Sequence, residues 1–350
     1  MTLEGDAPIG REGVGRPPQA ALDLRRLLAG FQVTQAIHVA AVLGVADHMS
    51  ATARPAGEIA AAVGADADCL YRLLRALAAL GVLVEHEGRR FALAAMGECL
   101  RTGSPHSVRP FAIYVAQQNQ WDAWGHLLHS VRTGENAFRA LHGVDCWEYR
   151  AARPEQNAIF NAAMTGSSRW VERAIVDAYD FGRCTRVADI AGGEGSLLAA
   201  LLRAHPGLRG VLFDQPHVIA SAGRLLAAAG VADRCEAIGG DMMVGVPPGC
   251  DTYVMKYVLH DWDDAHCLRI LRACRAAMTP AARLIVIDRL LGPPNQEPIV
   301  ALADLHMLVG PGGRERAGDE FAALFEAAGL RLAEVRPTGS PVSLLVGECA

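Results

Sequence analysis

The segment VLHDWDD at residues 258–264 places a histidine and three aspartates directly after an apolar, strand-like run. Histidine has an ordinary pKa close to neutrality, so His260 is a candidate general base. One of Asp261, Asp263 and Asp264 is expected to cap the helix that follows. Two other readings stay open: a structural histidine, and part of a metal-dependent phosphohydrolase site, which would need further histidines and aspartates on helices.

A glycine-rich turn follows an earlier strand-like run, in the segment VADIAGGEG. Gly192 and Gly193 would let the backbone approach a ligand closely. The dinucleotide pattern GxGxxG is incomplete, because Leu198 stands where its third glycine would be. This disfavours a nicotinamide dehydrogenase, and a tight structural turn stays an alternative.

Three side chains that follow the next two strand-like runs, GVLFD and CEAIGGD, indicate a nucleoside site. Asp214 ends the run GVLFD, where a carboxylate can accept hydrogen bonds from ribose hydroxyls, although it could instead cap a helix. Asp241 and Met242 offer an acceptor for an exocyclic amine and an apolar face for a purine ring. Lys256, in a fourth run, needs an anionic partner if it is buried: a ligand carboxylate, Glu194 or an aspartate.

The elements that must position these residues alternate from about residue 180 onward. Short apolar runs are separated by helical stretches, predicted at 196–204, 217–229 and 263–278. This alternation is typical of a parallel sheet covered by helices on both faces. Such sheets bind ligands at the carboxyl ends of their strands, where the candidate residues fall.

Residues 19–105 are rich in alanine and leucine and have helical periodicity. A helix is predicted at 56–63 and ends at Gly64, and Asp66 or Asp68 is expected to cap the next one. The segment VLVEHEGRRFAL then predicts a hairpin, which completes a winged-helix arrangement. The candidate recognition helix is mostly apolar with few basic groups, so packing against protein is favoured over DNA binding.

Composition narrows the function classes further. The 350 residues suffice for two or three domains, and the net charge of −5 gives no indication of nucleic-acid or membrane binding. No apolar run is expected to reach membrane-spanning length, and no signal peptide is recognised in the tail at 1–18, which is predicted to be disordered. The nine cysteines form no CxxC pair, which favours buried thiols in a reducing cytoplasm.

Taken together, these motifs resemble the class I S-adenosylmethionine-dependent methyltransferases. More narrowly, the chain resembles the plant caffeic-acid-type O-methyltransferases and their bacterial natural-product relatives. The family motifs DxGGGxG, FDxPxVI, GDxF/M, HDWxD and PGGxER appear as DIAGGEG, FDQPHVI, GDMM, HDWDD and PGGRER. The resemblance implies an α/β Rossmann-like methyltransferase domain at 179–350, an N-terminal mainly helical winged-helix dimerisation domain at 19–105, and a helical connector at 106–178 that contributes to the substrate pocket.

The same resemblance implies S-adenosylmethionine as cofactor, no metal, and a homodimer. Its base falls on His260, and the two acids that orient the base fall on Asp288 and Glu315. The acceptor contacts fall on Met164, Met307 and Asp261. The cofactor contacts fall on seven residues of the strand ends: Ala191, Gly192, Gly193, Asp214, Asp241, Met242 and Lys256. The chain departs from the family at two of these positions, with alanine for the first turn glycine and Asp288 for the glutamate of plant members.

The expected reaction is methyl transfer to a phenolic or enolic hydroxyl of an aromatic or polyketide-like small molecule, in bacterial secondary metabolism. One alternative is a family member that binds the cofactor but catalyses hydroxylation, decarboxylation or cyclisation. A second, from another class, is a winged-helix regulator that responds to a ligand. A metal-assisted, catechol-type reaction is disfavoured, because no clear set of acids and an amide is assembled in the sequence.

Overall fold

The computed structural model describes residues 17–350. All but two residues of the predicted tail at 1–18 therefore lie outside the described residues. The N-terminal region holds five helices and a three-stranded antiparallel sheet with strand order β1-β3-β2. Their bounds are α1 (Gln19–Leu28), α2 (Gly30–Leu43), β1 (Arg54–Pro55), α3 (Ala56–Val63), α4 (Ala67–Ala79), β2 (Leu83–His86), β3 (Arg90–Leu93) and α5 (Ala95–Glu98).

The predicted winged-helix elements are present in this region. Gly64 ends α3 in the left-handed conformation, with φ of 69°, and the side chain of Asp66 caps α4 by accepting from the Cys69 amide at 2.8 Å. Leu70, Leu74 and Leu77 of α4 are buried inside the region's own core. The apolar face of the candidate recognition helix is thus already occupied by protein.

The first two helices correct one expectation from the sequence. The nearly continuous helical segment Gln19–Leu43 has 25 residues and is long and apolar enough to cross a membrane by length and composition, although these criteria alone are weak evidence. Only 11 % of its apolar window is buried within the chain. Its exposed apolar side chains are Leu24, Leu27, Leu28, Phe31, Val39 and Val42.

Six helices form the connector that joins this region to the large sheet. Their bounds are α6 (Arg109–Val115), α7 (Gln118–Gly125), α8 (Leu127–Thr133), α9 (Ala137–His142), α10 (Cys146–Ala151) and α11 (Pro154–Ala178). The 25-residue α11 contacts both α6 and the first helix of the sheet domain. It thereby links the connector to the glycine-rich turn.

A seven-stranded sheet with strand order β6-β5-β4-β7-β8-β10-β9 forms the centre of the C-terminal region. Its strands are β4 (Arg186–Ile190), β5 (Arg209–Asp214), β6 (Cys235–Gly239), β7 (Thr252–Lys256), β8 (Arg283–Asp288), β9 (Leu330–Pro337) and β10 (Ser343–Cys349). Strands β4 to β8 are parallel to one another, whereas β10 is antiparallel to both β8 and β9. The expected parallel sheet is therefore mixed, with an antiparallel pair at one edge.

Helices cover both faces of this sheet and agree with the sequence to within one residue where they were predicted. They are α12 (Ser196–Ala204), α13 (Pro216–Ala228), α14 (Asp264–Ala277) and α16 (Gly318–Ala327), whereas α15 (Pro298–Val309) packs on the connector helices α7, α8 and α9. Two buried apolar clusters, one on each side of the strands, fix their positions. The strand ends that carry the candidate residues consequently meet at one edge of a rigid scaffold.

Candidate active site

His260 lies at the carboxyl end of β7, on a short 3₁₀ turn formed by Leu259–Asp261. The helix cap expected in this motif is Asp263, whose side chain accepts from the His266 amide at 2.9 Å at the start of α14. Since Asp263 does the capping, Asp261 is free to face the histidine. The imidazole of His260 is buried, and its ring stacks on Tyr257 with centroids 5.4 Å apart.

Three carboxylates surround the two ring nitrogens of His260. Its Nδ1 lies 3.1 Å from Glu315 Oε1 and 3.4 Å from Asp288 Oδ1. Its Nε2 lies 3.6 Å from Asp261 Oδ1, beyond hydrogen-bond distance. A proton on Nδ1 can therefore be donated to Glu315, which leaves Nε2 available to accept one from another group.

The electrostatics of this cluster favour a protonated imidazole. Burial alone would lower the pKa of His260, but the negative charges of Asp288, Asp261 and Glu315 outweigh it and raise the pKa to about 9. Burial raises the pKa of Asp261 and of Asp288 to about 6, against the opposing charge of His260. The second oxygens of Asp288 and Glu315 are buried and have no hydrogen-bond partner among residues 17–350.

The segment PGGRER holds the histidine turn from the other side. A side chain at Gly313 would place its Cβ 2.1 Å from the backbone oxygen of His260, so only glycine fits there. Arg316 is fully buried and donates to the carbonyl oxygens of Leu259 at 2.9 Å and Trp262 at 2.8 Å. Its charge is balanced by Asp264 at 2.7 Å. The segments HDWDD and PGGRER thus form one packed unit that fixes the position and orientation of the His260 imidazole.

The glycine-rich turn lies at the carboxyl end of the neighbouring strand β4. Ala191 and Gly193 adopt left-handed conformations, with φ of 52° and 60°. A Cβ at Gly192 would lie 2.6 Å from the carboxyl carbon of Asp189, so the turn packs tightly against its own strand. Asp214 closes the turn by accepting from the Gly193 amide at 2.8 Å, and it does not cap α13.

A buried polar network below this turn was not predicted from the sequence. Asp189 is 1 % exposed, and its Oδ2 has no hydrogen-bond partner within residues 17–350. Burial raises the pKa of its carboxyl to about 7, against the opposing charge of Lys256. Lys256 Nζ donates to Ser168 Oγ of α11 at 2.7 Å, and Glu194, one of the three partners considered for it, accepts instead from Thr165 Oγ1 at 3.1 Å. An aspartate inside the apolar run VADIA was the signal that could have identified this network.

The remaining predicted residues lie after β6 and on two helices. Asp241 follows β6 and accepts from the Met243 amide at 2.8 Å, next to the half-buried Met242. Met164 lies on α11, and Met307 lies buried on α15. Two stacked aromatic pairs of the connector and the sheet domain were not predicted: Trp147 on Trp262 at 6.1 Å, and Trp124 on His306 at 6.1 Å.

The donor types at His260 would also suit a metal ion. One ligand atom from each of His260, Asp288 and Glu315 lies within 4.8 Å of the others. The same three groups explain a base held by two acids without any ion. That no metal is required stays a prediction, which chelation can test.

Comparison with known proteins identifies the family. The O-methyltransferase domain model matches residues 124–331, and the O-methyltransferase dimerisation domain model matches residues 25–103. The chain belongs to the O-methyltransferase family. The phenazine O-methyltransferase PhzM of Lysobacter antibioticus is 45 % identical over 92 % of this chain and 94 % of its own length.

Solved structures of family members agree closely with the fold. The crystal structure of LaPhzM superposes with a TM-score of 0.92 at 42 % identity, covering 95 % of this chain and all of that one. The O-methyltransferase NcsB1 from neocarzinostatin biosynthesis, solved with S-adenosylmethionine and 2-hydroxy-5-methyl naphthoic acid, gives 0.79 at 32 % identity, covering 99 % and 100 %.

The family assignment confirms the main predictions from the sequence. The chain is an O-methyltransferase with a class I methyltransferase fold and a dimerisation domain, and the family's cofactor is S-adenosylmethionine. The regulator and dehydrogenase alternatives are accordingly set aside. The roles of individual residues remain predictions, because none of these likenesses assigns a function to a side chain of this chain.

Proposed function

We propose that this enzyme methylates a hydroxyl group of an aromatic small molecule in bacterial secondary metabolism, with His260 as the general base. One observation carries the proposal: a buried imidazole at a strand end has Nδ1 beside two carboxylates and Nε2 without a hydrogen bond. This arrangement fixes the ring and its tautomer while leaving one nitrogen for the acceptor. Asp288 and Glu315 act as positioning residues.

The glycine-rich turn and the strand ends beside it are the proposed cofactor site. The tight packing of Gly192 and the unpartnered oxygen of Asp189 fit a ligand that approaches backbone closely and carries a positive group. Asp214 retains lone pairs for ribose hydroxyls beyond the two backbone amides it binds. Asp241 and Met242 are proposed to receive the adenine, and Ala191, Gly193 and Lys256 complete the site.

Methyl transfer requires the protein to position the acceptor hydroxyl against the cofactor and to remove the hydroxyl proton. The cofactor, when bound, supplies an electrophilic methyl group on a sulfonium. His260 Nε2 accepts the hydroxyl proton of the acceptor as the oxygen attacks, and the nearby acids stabilise the resulting imidazolium. Met307 and Met164 hold the acceptor ring so that its oxygen lies in line for displacement, and Asp261 binds beside the reacting hydroxyl. This mechanism does not need a metal.

The domain division proposed from the sequence assigns dimerisation to 19–105, the pocket wall to 106–178 and catalysis to 179–350. The exposed apolar side chains of α1 and α2 support a homodimer, because a second copy would cover them. We propose that this covering, and not a membrane, accounts for the apolar segment Gln19–Leu43. The nine free cysteines support a cytoplasmic location. Neither a nucleic-acid partner nor a membrane partner is proposed.

The acceptor is proposed to be a phenolic or polyketide-like aromatic, in keeping with the phenazine and naphthoate named for the relatives. A screen of such phenols with S-adenosylmethionine, read by mass spectrometry for one added methyl, tests the activity. His260→Ala should bind cofactor by calorimetry yet lose turnover, whereas His86→Ala, at an exposed histidine on β2, should retain it. Full turnover in His260→Ala would refute the base assignment, and oxidised or decarboxylated products would favour the non-methylating alternative.

A further inference from the structure

Arg150 of α10 is a buried cation in the connector, with 4 % of its surface exposed. One guanidinium nitrogen lies 3.5 Å from Cys146 Sγ, and the other donates to the Tyr114 hydroxyl at 3.2 Å. The planar group lies over the ring of Phe160 at 4.0 Å and near that of Trp147 at 4.9 Å. Aromatic faces and hydrogen bonds thus hold Arg150 in one orientation.

None of these contacts neutralises the charge. Burial raises the pKa of the Cys146 thiol to about 12 and also raises that of the Tyr114 hydroxyl, so both partners are neutral. Within residues 17–350, no carboxylate lies within 4.0 Å of Arg150. Arg316, which is also buried, has the carboxylate of Asp264 at 2.7 Å. The charge of the buried Asp261 acts on Arg150 only from beyond contact distance. A buried guanidinium is costly without an anion in direct contact, so such a partner is expected from outside the described residues.

Arg150 lies on the side of the site where the acceptor is proposed to bind. The neighbouring Trp147 stacks on Trp262, which directly follows Asp261 at the histidine turn. The indole Nε1 of Trp147 is itself a buried donor with no acceptor among residues 17–350. Burial and, after it, the charges of Arg150 and His260 lower the pKa of His306 to about 4, so both cations lie close enough to act on this ring.

We propose that Arg150 binds a carboxylate on the methyl acceptor, so that the preferred substrate is a hydroxylated aromatic acid. The planar guanidinium matches a carboxylate, and the indole N–H of Trp147 supplies a further donor. The anchored acid would set which ring hydroxyl reaches His260. This inference rests on the proposed function, since it assigns the recognition element of the same acceptor site.

The test uses the full-length enzyme loaded with S-adenosylhomocysteine and a panel of monohydroxynaphthoic acids, each paired with its methyl ester. Wild type should bind at least one acid about tenfold or more tightly than its ester by calorimetry. Arg150→Met should lose that preference through weaker acid binding while ester affinity is kept, and Arg150→Lys should retain part of it. Arg153→Met, at an exposed arginine beside Tyr149, is the matched control and should behave as wild type.

Equal binding of acids and esters by wild type would overturn the proposal without any variant, and so would failure of every acid to bind. A parallel loss of acid and ester affinity in Arg150→Met, with lower thermal stability, would instead assign a structural role. Since binding is measured without methyl transfer, it is separate from the activity screen. Selective acid binding with no methylated product would contradict the proposed function alone, and methylation of esters and acids alike would contradict this inference alone.

Discussion

Replacement of Asp288 by asparagine should move the pH dependence of methyl transfer toward acid. Asp288 Oδ1 lies 3.4 Å from His260 Nδ1, and this charge is the strongest of those that raise the pKa of the imidazole. Asparagine keeps the size and one oxygen but removes the charge. The proposed base must be neutral in the free enzyme, so kcat/KM should rise with pH through the pKa of His260.

The expected shift of the pH profile follows from the pKa of His260 and from its distance to Asp288. With a pKa of about 9, only about 1 % of His260 is neutral at pH 7, so kcat/KM in wild type should increase about tenfold for each pH unit from 7 to nearly 9. A pKa raised from 6.5 to about 9 corresponds to about 3 kcal/mol in favour of the imidazolium. A charge at this distance accounts for roughly one to three pKa units, so the inflection in Asp288→Asn should fall to about 6–8.

The assay is kcat/KM for one phenol between pH 6 and 10, with product counted by mass spectrometry and cofactor affinity measured at each pH. The phenol should have a pKa above that of the base, so that its own ionisation is separate. Asp319→Asn removes an exposed charge on α16 and should leave the inflection of wild type unchanged. An Asp288→Asn profile that coincides with wild type, or a wild-type profile flat from pH 7 to 9, would refute the assignment of this cluster as the base.

Three further predictions concern two glycine-dependent turns of the scaffold and the possible metal ligands His260, Asp288 and Glu315. Gly313→Ala forces its Cβ against the backbone at His260 and should lower the free energy of unfolding, measured in urea, by about 1–3 kcal/mol. Gly318→Ala, where a Cβ meets open space at the start of α16, should be neutral or stabilising, and equal effects of the two variants would contradict the close approach at Gly313. Ala191→Gly should relieve a left-handed alanine and raise stability by up to about 1 kcal/mol, and a clear loss would contradict that backbone conformation. Dialysis against EDTA should leave turnover unchanged, and recovery of lost activity by a divalent ion would instead support a metal site.

The fold was predictable from sequence where apolar patterning and turn chemistry agree. The helices at 196–204, 217–229 and 263–278 were correct to within one residue, because each is bounded by glycine, proline or a capping aspartate. The antiparallel edge was not predicted. Strand β9 is mostly exposed on the sheet edge, so its sequence LRLAEVRP lacks the continuous apolar run of a central strand. Pairing direction depends on contacts between distant segments, which periodicity does not encode.

The site was predictable to the extent that its residues end strands. His260, Asp214 and Asp241 follow apolar runs, and parallel topology brings such ends together. The proximity of Asp288 and Glu315 to the histidine came only from family resemblance, since nothing in their spacing indicates it. The partner of Lys256 was not predictable either, because Ser168 lies on a helix 88 residues earlier in the chain.

The two buried arginines illustrate what the sequence could not distinguish. Both Arg150 and Arg316 lie in stretches where a cation next to acids would pass as a surface pair. In the structure, Arg316 has a carboxylate and two backbone oxygens, and it fastens the histidine turn to the segment PGGRER. Arg150 contacts a thiol, a phenol and aromatic faces, and the charge of Asp261 acts on it from a greater distance. Since a buried charge is costly without an opposite one in contact, the first arginine is explained by the fold, whereas the second is the one that we assign to a ligand carboxylate.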